Sequence, residues 1–278
     1  MTAFRVPGSS ANLGPGFDGV GMALSIHADV GVMGPDPIPD RAKVADGHHP
    51  ATIAYRAAGG TGTVWVRSDI PMGRGLGFSG AVRVGGALCA VVESGADPAD
   101  DLTRQHVLDV TARLEGHADN VAASLLGGVV GTNGHRASRL PLGCELAVVV
   151  WIPDFTTSTS ESRTKLPRSV AFDDAVFNVT HTALLFAALA SGDLESLAEA
   201  TADRLHQDVR LAKAVPSRTA LESMRDAGAV AVWLSGSGPT VACFARPADA
   251  ERVAAALPSD GRTRVLAIDL SGARALRV

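Results

Sequence analysis

Residues 71–81 read PMGRGLGFSGA, a run in which four of eleven residues are glycine. Before it, the alternating stretch TVWVRS at 63–68 predicts a strand, and after it, small apolar residues at 81–93 predict a buried helix. Consecutive small residues at a helix start leave backbone N–H groups uncovered, and these donors together with the helix dipole stabilise a phosphate. A single cluster of this kind is more often a tight turn whose glycines serve packing alone, so its meaning depends on the rest of the chain.

Two familiar interpretations of this run fit the sequence poorly. Residues 75–80 match the dinucleotide-binding pattern G-x-G-x-x-G, but so do residues 14–19, and no strand runs directly into the first glycine. A hydrolase nucleophile elbow around Ser79 lacks one glycine of G-x-S-x-G. Its triad partners would have to be His206 and Asp269, which come in the wrong chain order.

A third interpretation is the phosphate loop of a kinase outside the P-loop class. The chain has no G-x-x-x-x-G-K-[ST] motif, and its lysines are only Lys43, Lys165 and Lys213. The charge of a bound nucleotide would then be neutralised by the helix dipole, Mg²⁺ and arginine.

Periodicity predicts helices and strands mixed along the chain, which indicates an α+β fold in two layers. Helices are predicted at 51–58, 102–115, 170–191, 194–207, 217–227 and 248–257. Strands are predicted at 144–152, 229–234, 240–245 and 263–269.

Four further stretches favour the kinase interpretation. They read VPGSSANLGPGFD at 6–18, EGHADNVAA at 115–123 with LLGG shortly after, DRLHQDVR at 203–210 and LSGSGPT at 234–240. Together with residues 70–81, and in this order, they resemble the motifs of the GHMP kinases, and the homoserine kinase branch in particular. Five ordered matches between residues 6 and 240 are far more specific than one glycine cluster.

The resemblance implies a two-domain GHMP kinase fold with the active site between the domains. A ribosomal-S5-like N-terminal domain would occupy residues 1–142 and a ferredoxin-like C-terminal domain residues 143–278. The implied reaction is the phosphorylation of the L-homoserine hydroxyl by ATP, which gives O-phospho-L-homoserine for threonine biosynthesis. The alternatives are a GHMP kinase for another hydroxy-amino acid, such as threonine, and a non-catalytic GHMP-like binding protein.

The resemblance also assigns the groups that hold an amino-acid substrate. Asn12 and Asp18 match positions that bind the substrate amino group and hydroxyl end, and a carboxylate facing an ammonium is a strong charge-assisted pair. Arg163 and Arg210 match the pair that grips the substrate carboxylate, a task for which a planar fork of donors is better suited than lysine.

The implied catalytic set is Asn120 with Arg163 and Arg210. Asn120 matches the position that faces the reacting hydroxyl, and His117 is expected to line the substrate pocket beside it. Because an asparagine cannot accept the hydroxyl proton, catalysis would rest on positioning and electrostatics, which phosphoryl transfer permits.

A further set is implied for ATP and Mg²⁺. The residues expected at the nucleotide are Pro71, Arg74, Gly75, Leu76, Gly77, Phe78, Ser79, Gly80, Gly236, Ser237 and Gly238. Ser79 is expected to place its hydroxyl on Mg²⁺, which prefers hard oxygen ligands. The metal carboxylate comes from the helix before Asn120, where Glu115 is the first choice and Asp109 the alternative.

Three features depart from the family pattern. Phe78 stands where serine is usual, Gly80 stands where alanine is usual, and the segment 34–62 is short and lacks the usual helix start. That segment helps shape the nucleotide side of the site, and a bulky ring inside a phosphate loop would shift that loop. ATP binding is therefore the property that these departures would change.

Composition and charge set the remaining expectations. Of 278 residues, 46% are hydrophobic and 19% charged, and the net charge of −4 gives no basic footprint for nucleic acid or an anionic membrane. No apolar stretch is expected to reach the ~20 residues that span a bilayer, and the first residues, MTAFR, do not resemble a leader. Cys89, Cys144 and Cys243 fit buried thiols of a reducing cytosol. We therefore expect a cytoplasmic enzyme with a small-molecule partner and, since two-fold dimers are the commonest assemblies, a homodimer.

Overall fold

The computed structural model, which describes residues 2–35 and 37–276, folds into two antiparallel sheets with helices packed against them. Its strands are β1 (Ala3–Ala11), β2 (Val20–Val32), β3 (Lys43–Val44), β4 (Val64–Ser68), β5 (Val129–Thr132), β6 (Ala137–Leu140), β7 (Ala147–Pro153), β8 (Ala231–Leu234), β9 (Val241–Ala245), β10 (Gly261–Ala267) and β11 (Arg274–Ala275). Its helices are α1 (Pro50–Ala57), α2 (Phe78–Glu93), α3 (Asp101–Glu115), α4 (Asp119–Leu126), α5 (Thr159–Thr164), α6 (Phe172–Ser191), α7 (Leu194–Ala200), α8 (Gln207–Leu211), α9 (Val215–Asp226) and α10 (Ala250–Ala255).

The first sheet is built around the long strand β2. Its order is β11-β1-β2-β4-β3, and β5 pairs with the start of β2 and carries β6. Both β1 and β2 are buried along almost their whole length, because α2 and α4 pack on them. The glycine-rich run between β4 and α2 is thereby brought to one end of this sheet.

The second sheet, in the order β10-β7-β9-β8, is buried on both faces at its centre. Alternate residues of a strand point to opposite faces. Val148 and Val150 accordingly belong to the core of the first sheet, whereas Val149 and Trp151 belong to a second core against α9 and α10. One continuous core therefore runs from β1 through to Trp233 and Phe244 of the second sheet.

The predicted α+β, two-domain class is confirmed, with differences in single elements. The helix predicted at 194–207 is wrong, because α7 ends at Ala200 and α8 begins only at Gln207. The carboxylate of Asp203 accepts hydrogen bonds from the backbone amides of residues 205, 206 and 207, which holds this stretch as a turn. Strands β1 and β2 were not predicted from the residue pattern.

The predicted domain boundary near residue 142 falls between β6 and β7 and stays a prediction. After β10 the chain returns to the first sheet, where β11 pairs with β1. Residues 274–275 therefore lie with the N-terminal sheet and not with the C-terminal one.

Helix α6 is the one described helix that is long and apolar enough to span a bilayer by length and composition. It has 20 residues and a mean hydropathy of 1.2, and 22% of its apolar window is buried. The expectation that no stretch reaches this length is wrong for α6. Core helices of ordinary globular proteins pass the same test, so these two properties are weak evidence of a membrane span.

Candidate active site

A cavity lies where three loops meet: the loop between β1 and β2, the glycine-rich run and the turn after β8. The glycine-rich run forms its floor, and three of its glycines are in the left-handed region: Gly73 with φ 67°, Gly75 with φ 74° and Gly77 with φ 70°. A Cβ at residue 77 would lie 2.1 Å from Oγ of Ser9, and a Cβ at residue 75 would lie 2.3 Å from the carbonyl oxygen of Ser235. Glycine is therefore required at both positions.

The same loop is held by hydrogen bonds from both sheets. The Ser9 amide donates to the Leu76 carbonyl at 3.1 Å, and Oγ of Ser235 donates to the Gly75 carbonyl at 2.6 Å. Gly77 precedes α2, and no side chain in the described chain caps the first amides of that helix. The cavity therefore has an uncapped helix N-terminus, an arrangement that favours a phosphate group.

Ser79 and Glu115 stand side by side on the wall next to this helix N-terminus. Oγ of Ser79 donates to Oε2 of Glu115 at 2.8 Å. Nε of Arg83 donates to the same carboxylate oxygen at 2.7 Å. Glu115 is the last residue of α3, which ends because Gly116 adopts the left-handed conformation.

The loop between β1 and β2 forms the opposite wall through two residues with positive φ, Asn12 at 74° and Asp18 at 58°. The buried Asn12 amide connects two loops, because Nδ2 donates to the Gly236 carbonyl at 3.1 Å and Oδ1 accepts from the Asp18 amide at 3.1 Å. Asn12 therefore fixes the direction in which the Asp18 carboxylate enters the cavity.

Two arginines and one aspartate define a charged end of the cavity. Arg163 donates through both terminal nitrogens to the two carboxylate oxygens of Asp18, with Nη1 at 2.9 Å from Oδ2. This hydrogen-bonded pairing raises the pKa of Arg163. Arg210 lies nearby and has no carboxylate partner among the described residues. Burial, together with the charge of Arg163, lowers the pKa of Arg210 to about 10.

Arg210 is held from behind by a buried histidine. Nη1 of Arg210 donates to the Gly236 carbonyl at 3.1 Å and lies 3.1 Å from Nδ1 of His206. Because a guanidinium can only donate, Nδ1 of His206 accepts, and its Nε2 carries the proton that it donates to the Gly14 carbonyl at 2.9 Å. Burial holds the pKa of His206 below its ordinary value, which keeps the ring neutral.

A further cluster of hydrogen-bonded side chains in the cavity consists of His117, Asp119 and Asn120. Nδ1 of His117 lies 2.6 Å from Oδ1 of Asp119, and Oδ1 of Asn120 accepts from Oγ of Ser9 at 2.9 Å. Burial lowers the pKa of His117, but the hydrogen bond and the charge of Asp119 outweigh burial and leave that pKa above its ordinary value. Ligand atoms of His117, Asp119 and Asp18 lie within 4.8 Å of one another.

The structure brings nearly all the predicted site residues to this one cavity. The predicted residues among those that line it are Asn12, Asp18, Pro71, Arg74, Gly75, Leu76, Gly77, Phe78, Ser79, Glu115, His117, Asn120, Arg163, Arg210, Gly236 and Ser237. Gly80 instead lies under α4, where a Cβ would meet that of Asn120 at 3.2 Å. Gly238 lines a neighbouring cavity. The alternative metal ligand Asp109 also lies elsewhere, and it accepts a hydrogen bond from Gln105. The roles of these residues stay predictions.

Phe78 connects the glycine loop to the segment before it. Its ring lies edge-on to that of His49, with centroids 6.0 Å apart, and His49 caps the start of α1. The two departures at Phe78 and at residues 34–62 are thus in contact with each other.

Sequence reasoning missed four residues at this site. They are Phe17, Arg83, Asp119 and His206. Phe17, Asp119 and His206 lie inside the matched stretches 6–18, 115–123 and 203–210, so their position was a usable signal. Arg83 acts through contacts that no spacing rule predicts.

Comparisons with known proteins agree with this architecture. Residues 48–128 match the family model of the GHMP kinases N terminal domain, and residues 185–263 match that of the GHMP kinases C terminal. A mevalonate kinase from Methanococcus jannaschii shares the fold, with a TM-score of 0.67 and 12% identity over 96% of this chain and 98% of that one. The fold and the site define a GHMP kinase, an enzyme that transfers phosphate to a hydroxyl group.

Nearer relatives place the chain within that class. The homoserine kinase of Moorella thermoacetica is 39% identical over 88% of each chain, and that of Deinococcus radiodurans is 41% identical over 86% of this chain and 83% of its own. The crystal structure of homoserine kinase from Cytophaga hutchinsonii superposes with a TM-score of 0.83 at 21% identity, covering 99% of this chain and 97% of that one. The chain belongs to the homoserine kinase family.

Proposed function

We propose that this protein transfers the γ-phosphoryl group of ATP to the side-chain hydroxyl of L-homoserine, a step of threonine biosynthesis. The observation that carries the proposal is the arrangement of Asp18, Arg163 and Arg210 beside an uncapped, glycine-rich helix N-terminus. Opposite charges at one end of a cavity suit a zwitterion, and the helix N-terminus suits a phosphate. The family and the names of its relatives support the same substrate.

The charged end is complementary to the two ionic groups of an amino acid. In the structure, Asp18 and Arg163 pair with each other. Nε of Arg210 is buried and has no hydrogen-bond partner among the described residues. An incoming α-ammonium would take Asp18, and an α-carboxylate would take Arg163 and the unused donor of Arg210. Asp18 and Arg163 then each exchange one ionic partner for another and Arg210 gains one, so no charge is left unpaired.

The side-chain hydroxyl would then extend toward Asn120. The carbonyl oxygen of Asn120 is fixed by Ser9 and its amide nitrogen lies 3.3 Å from Asp119, so the side chain has one orientation. A fixed amide orients the hydroxyl without taking its proton. Phosphoryl transfer through a loose transition state relies mainly on such positioning and on stabilising charge.

The nucleotide end offers donors for phosphate and two oxygens for a metal. The first amides of α2 would face the phosphates of ATP. Arg74 lines the same cavity, and its Nε and Nη2 donate to the carbonyls of Pro153 and Asp154. Oγ of Ser79 and the carboxylate of Glu115 are hard oxygens 2.8 Å apart on the wall of the cavity, so this donor set fits Mg²⁺. When bound, Mg²⁺ supplies positive charge against the phosphates.

A cytoplasmic location belongs to the same proposal. Cys89, Cys144 and Cys243 are free thiols, and Cys89 and Cys243 are buried. Burial raises the pKa of the Cys243 thiol to about 12, which keeps that thiol protonated and inert. Such cysteines fit a reducing compartment.

The test is a coupled assay of ADP release with Mg-ATP and a panel of acceptors. The panel contains L-homoserine, L-threonine, L-serine, mevalonate and galactose. We expect turnover on L-homoserine with a much higher kcat/KM than on the others. Preferred turnover on L-threonine would support the amino-acid site but change the proposed substrate. Absence of ADP release from a folded protein would favour a binding protein over an enzyme.

A further inference from the structure

Glu115, the carboxylate proposed for the metal, is already paired with a cation of the protein itself. Nε of Arg83 lies 2.7 Å from Oε2 of Glu115 and 3.3 Å from Oγ of Ser79. Arg83 follows Ser79 by one turn of α2, so the three side chains meet where α2 begins and α3 ends. Among the described residues, the Glu115 carboxylate accepts hydrogen bonds from Ser79 and from Arg83, and both end on Oε2.

Separating Arg83 from Glu115 would cost considerable free energy, because both side chains are largely buried. The side chains of Arg83 and Glu115 are each only 14% exposed. Nη1 of Arg83 is buried and lacks a hydrogen-bond partner in the described part of the chain. Loss of the Glu115 contact would leave a largely buried guanidinium without its counter-charge, which is strongly unfavourable.

We propose that Arg83 is a positioning residue that neutralises Glu115 and holds it on Ser79, so that the divalent cation enters with the nucleotide and not ahead of it. A guanidinium on Oε2 repels a divalent cation and leaves Oε1 as the carboxylate oxygen open to the metal. The phosphates of ATP would bring negative charge to Glu115, whose own charge Arg83 neutralises. The inference rests on the proposed metal role of Ser79 and Glu115.

The experiment measures metal binding directly, so it does not depend on turnover or on the identity of the amino acid. Mn²⁺ serves as the probe, and its free concentration is followed by electron paramagnetic resonance. The full-length protein is titrated with and without a non-hydrolysable ATP analogue, and the analogue alone is the blank. The variants are R83M, R83Q, R83K and the double variant R83M/E115Q, with R113M as the matched control. Arg113 is an exposed cation on the same helix as Glu115.

We expect the wild type to bind Mn²⁺ weakly until the analogue is present. R83M, which removes the charge, should bind Mn²⁺ without nucleotide about tenfold or more tightly than the wild type. R83K keeps a cation and should stay near the wild-type affinity, as should R113M. Adding E115Q to R83M should abolish the gain.

Three results would overturn the inference. One is a wild type that binds Mn²⁺ equally well with and without the analogue, and another is an R83M protein whose nucleotide-free affinity is unchanged or weaker. If R83M does not fold, R83Q carries the same expectation, because it removes the charge and keeps a donor near Glu115. The third is absence of Mn²⁺ binding by every variant even with the analogue, which would remove the metal role of Glu115 while leaving the homoserine assay unaffected.

Discussion

The ring of Phe17 lies beneath both arginines of the charged end. The guanidinium carbons of Arg163 and Arg210 are 5.4 Å and 5.3 Å from its centroid. An aromatic face attracts a cation, so Phe17 stabilises two like charges that have one carboxylate, Asp18, between them. A second carboxylate, brought by the substrate, would relieve the remaining repulsion.

Replacing Arg163 by alanine tests the charged end at the scale of one residue. Charge-assisted hydrogen bonds are worth about 1.5–3 kcal/mol, so R163A should raise KM for L-homoserine roughly 10- to 100-fold. KM for ATP should change little, because the proposed nucleotide end lies at the other end of the cavity. Initial rates against L-homoserine at saturating Mg-ATP give the result.

The control for this variant is R168A. Arg168 is exposed and lies five positions further along the chain, so its loss removes a similar charge from the same region. An R163A enzyme with unchanged KM and kcat, matching R168A, would contradict the assignment of Arg163 to the substrate carboxylate.

At the scale of elements, the glycine loop depends on the space around each glycine as well as on its φ. Gly73 and Gly77 both have positive φ, at 67° and 70°. A Cβ at residue 73 would lie 3.4 Å from Thr156, an ordinary contact, whereas at residue 77 it would lie 2.1 Å from Oγ of Ser9. The two positions share the backbone strain and differ in the clash.

We therefore expect G77A to lose most of its activity with Mg-ATP, because the loop must move away from β1. G73A should carry only the strain of a left-handed alanine, about 1–2 kcal/mol, and keep most of its activity. Steady-state rates and melting temperatures of the two variants, measured side by side, give the comparison. Equal losses in both would show that strain alone matters and that contact with Ser9 does not.

Local sequence signals predicted the elements whose causes are local. Helices α2 and α3 follow from small-residue and amphipathic patterns, and Gly116 ends α3 in the left-handed conformation as expected. The helix prediction failed over residues 201–206, because Asp203 is held there by Asn178 of α6 and His206 contacts Gly14 across the fold. A helix periodicity carries no record of such distant partners.

The candidate site shows the same limit. Matched stretches identified the residues that line the cavity but not how they pair. Asp18 and Arg163 are 145 positions apart, and Arg83 meets Glu115 across 32, so their contacts follow only from the fold. Sequence reasoning placed Asp18 and Arg163 on different groups of a substrate, whereas in the structure these two side chains bind each other.

At the scale of the whole molecule, Asp269 holds the chain against the first sheet where it passes from β10 to β11. Its carboxylate lies 2.7 Å from Nε2 of His27 on β2 and accepts from Arg274 at 3.2 Å. Burial raises the pKa of Asp269, but the hydrogen bonds of His27 and the Ser271 amide, with the charge of Arg274, outweigh burial and lower that pKa to about 2.

A depressed carboxyl pKa contributes stability above the ordinary pKa and loses it as the pH falls through the folded value. D269N should therefore lower the free energy of unfolding by about 2 kcal/mol at pH 7. The difference from wild type should shrink as the pH falls from about 5 toward 2. Urea unfolding at several pH values measures it, with D260N, at an exposed aspartate, as the control. A difference that stays constant with pH would rule out this origin of the stability.

The continuous core of the two sheets also limits how the enzyme can move. Trp233 and Phe244 are fully buried in that core, and Nε1 of Trp233 donates to Oγ of Ser10 on β1 at 2.9 Å. Swinging the two halves apart like a hinge would expose these aromatic rings to water and break that bond. We therefore expect substrate to enter and product to leave through movements of short surface segments, such as the one that carries Arg163. The two halves themselves would stay packed against each other.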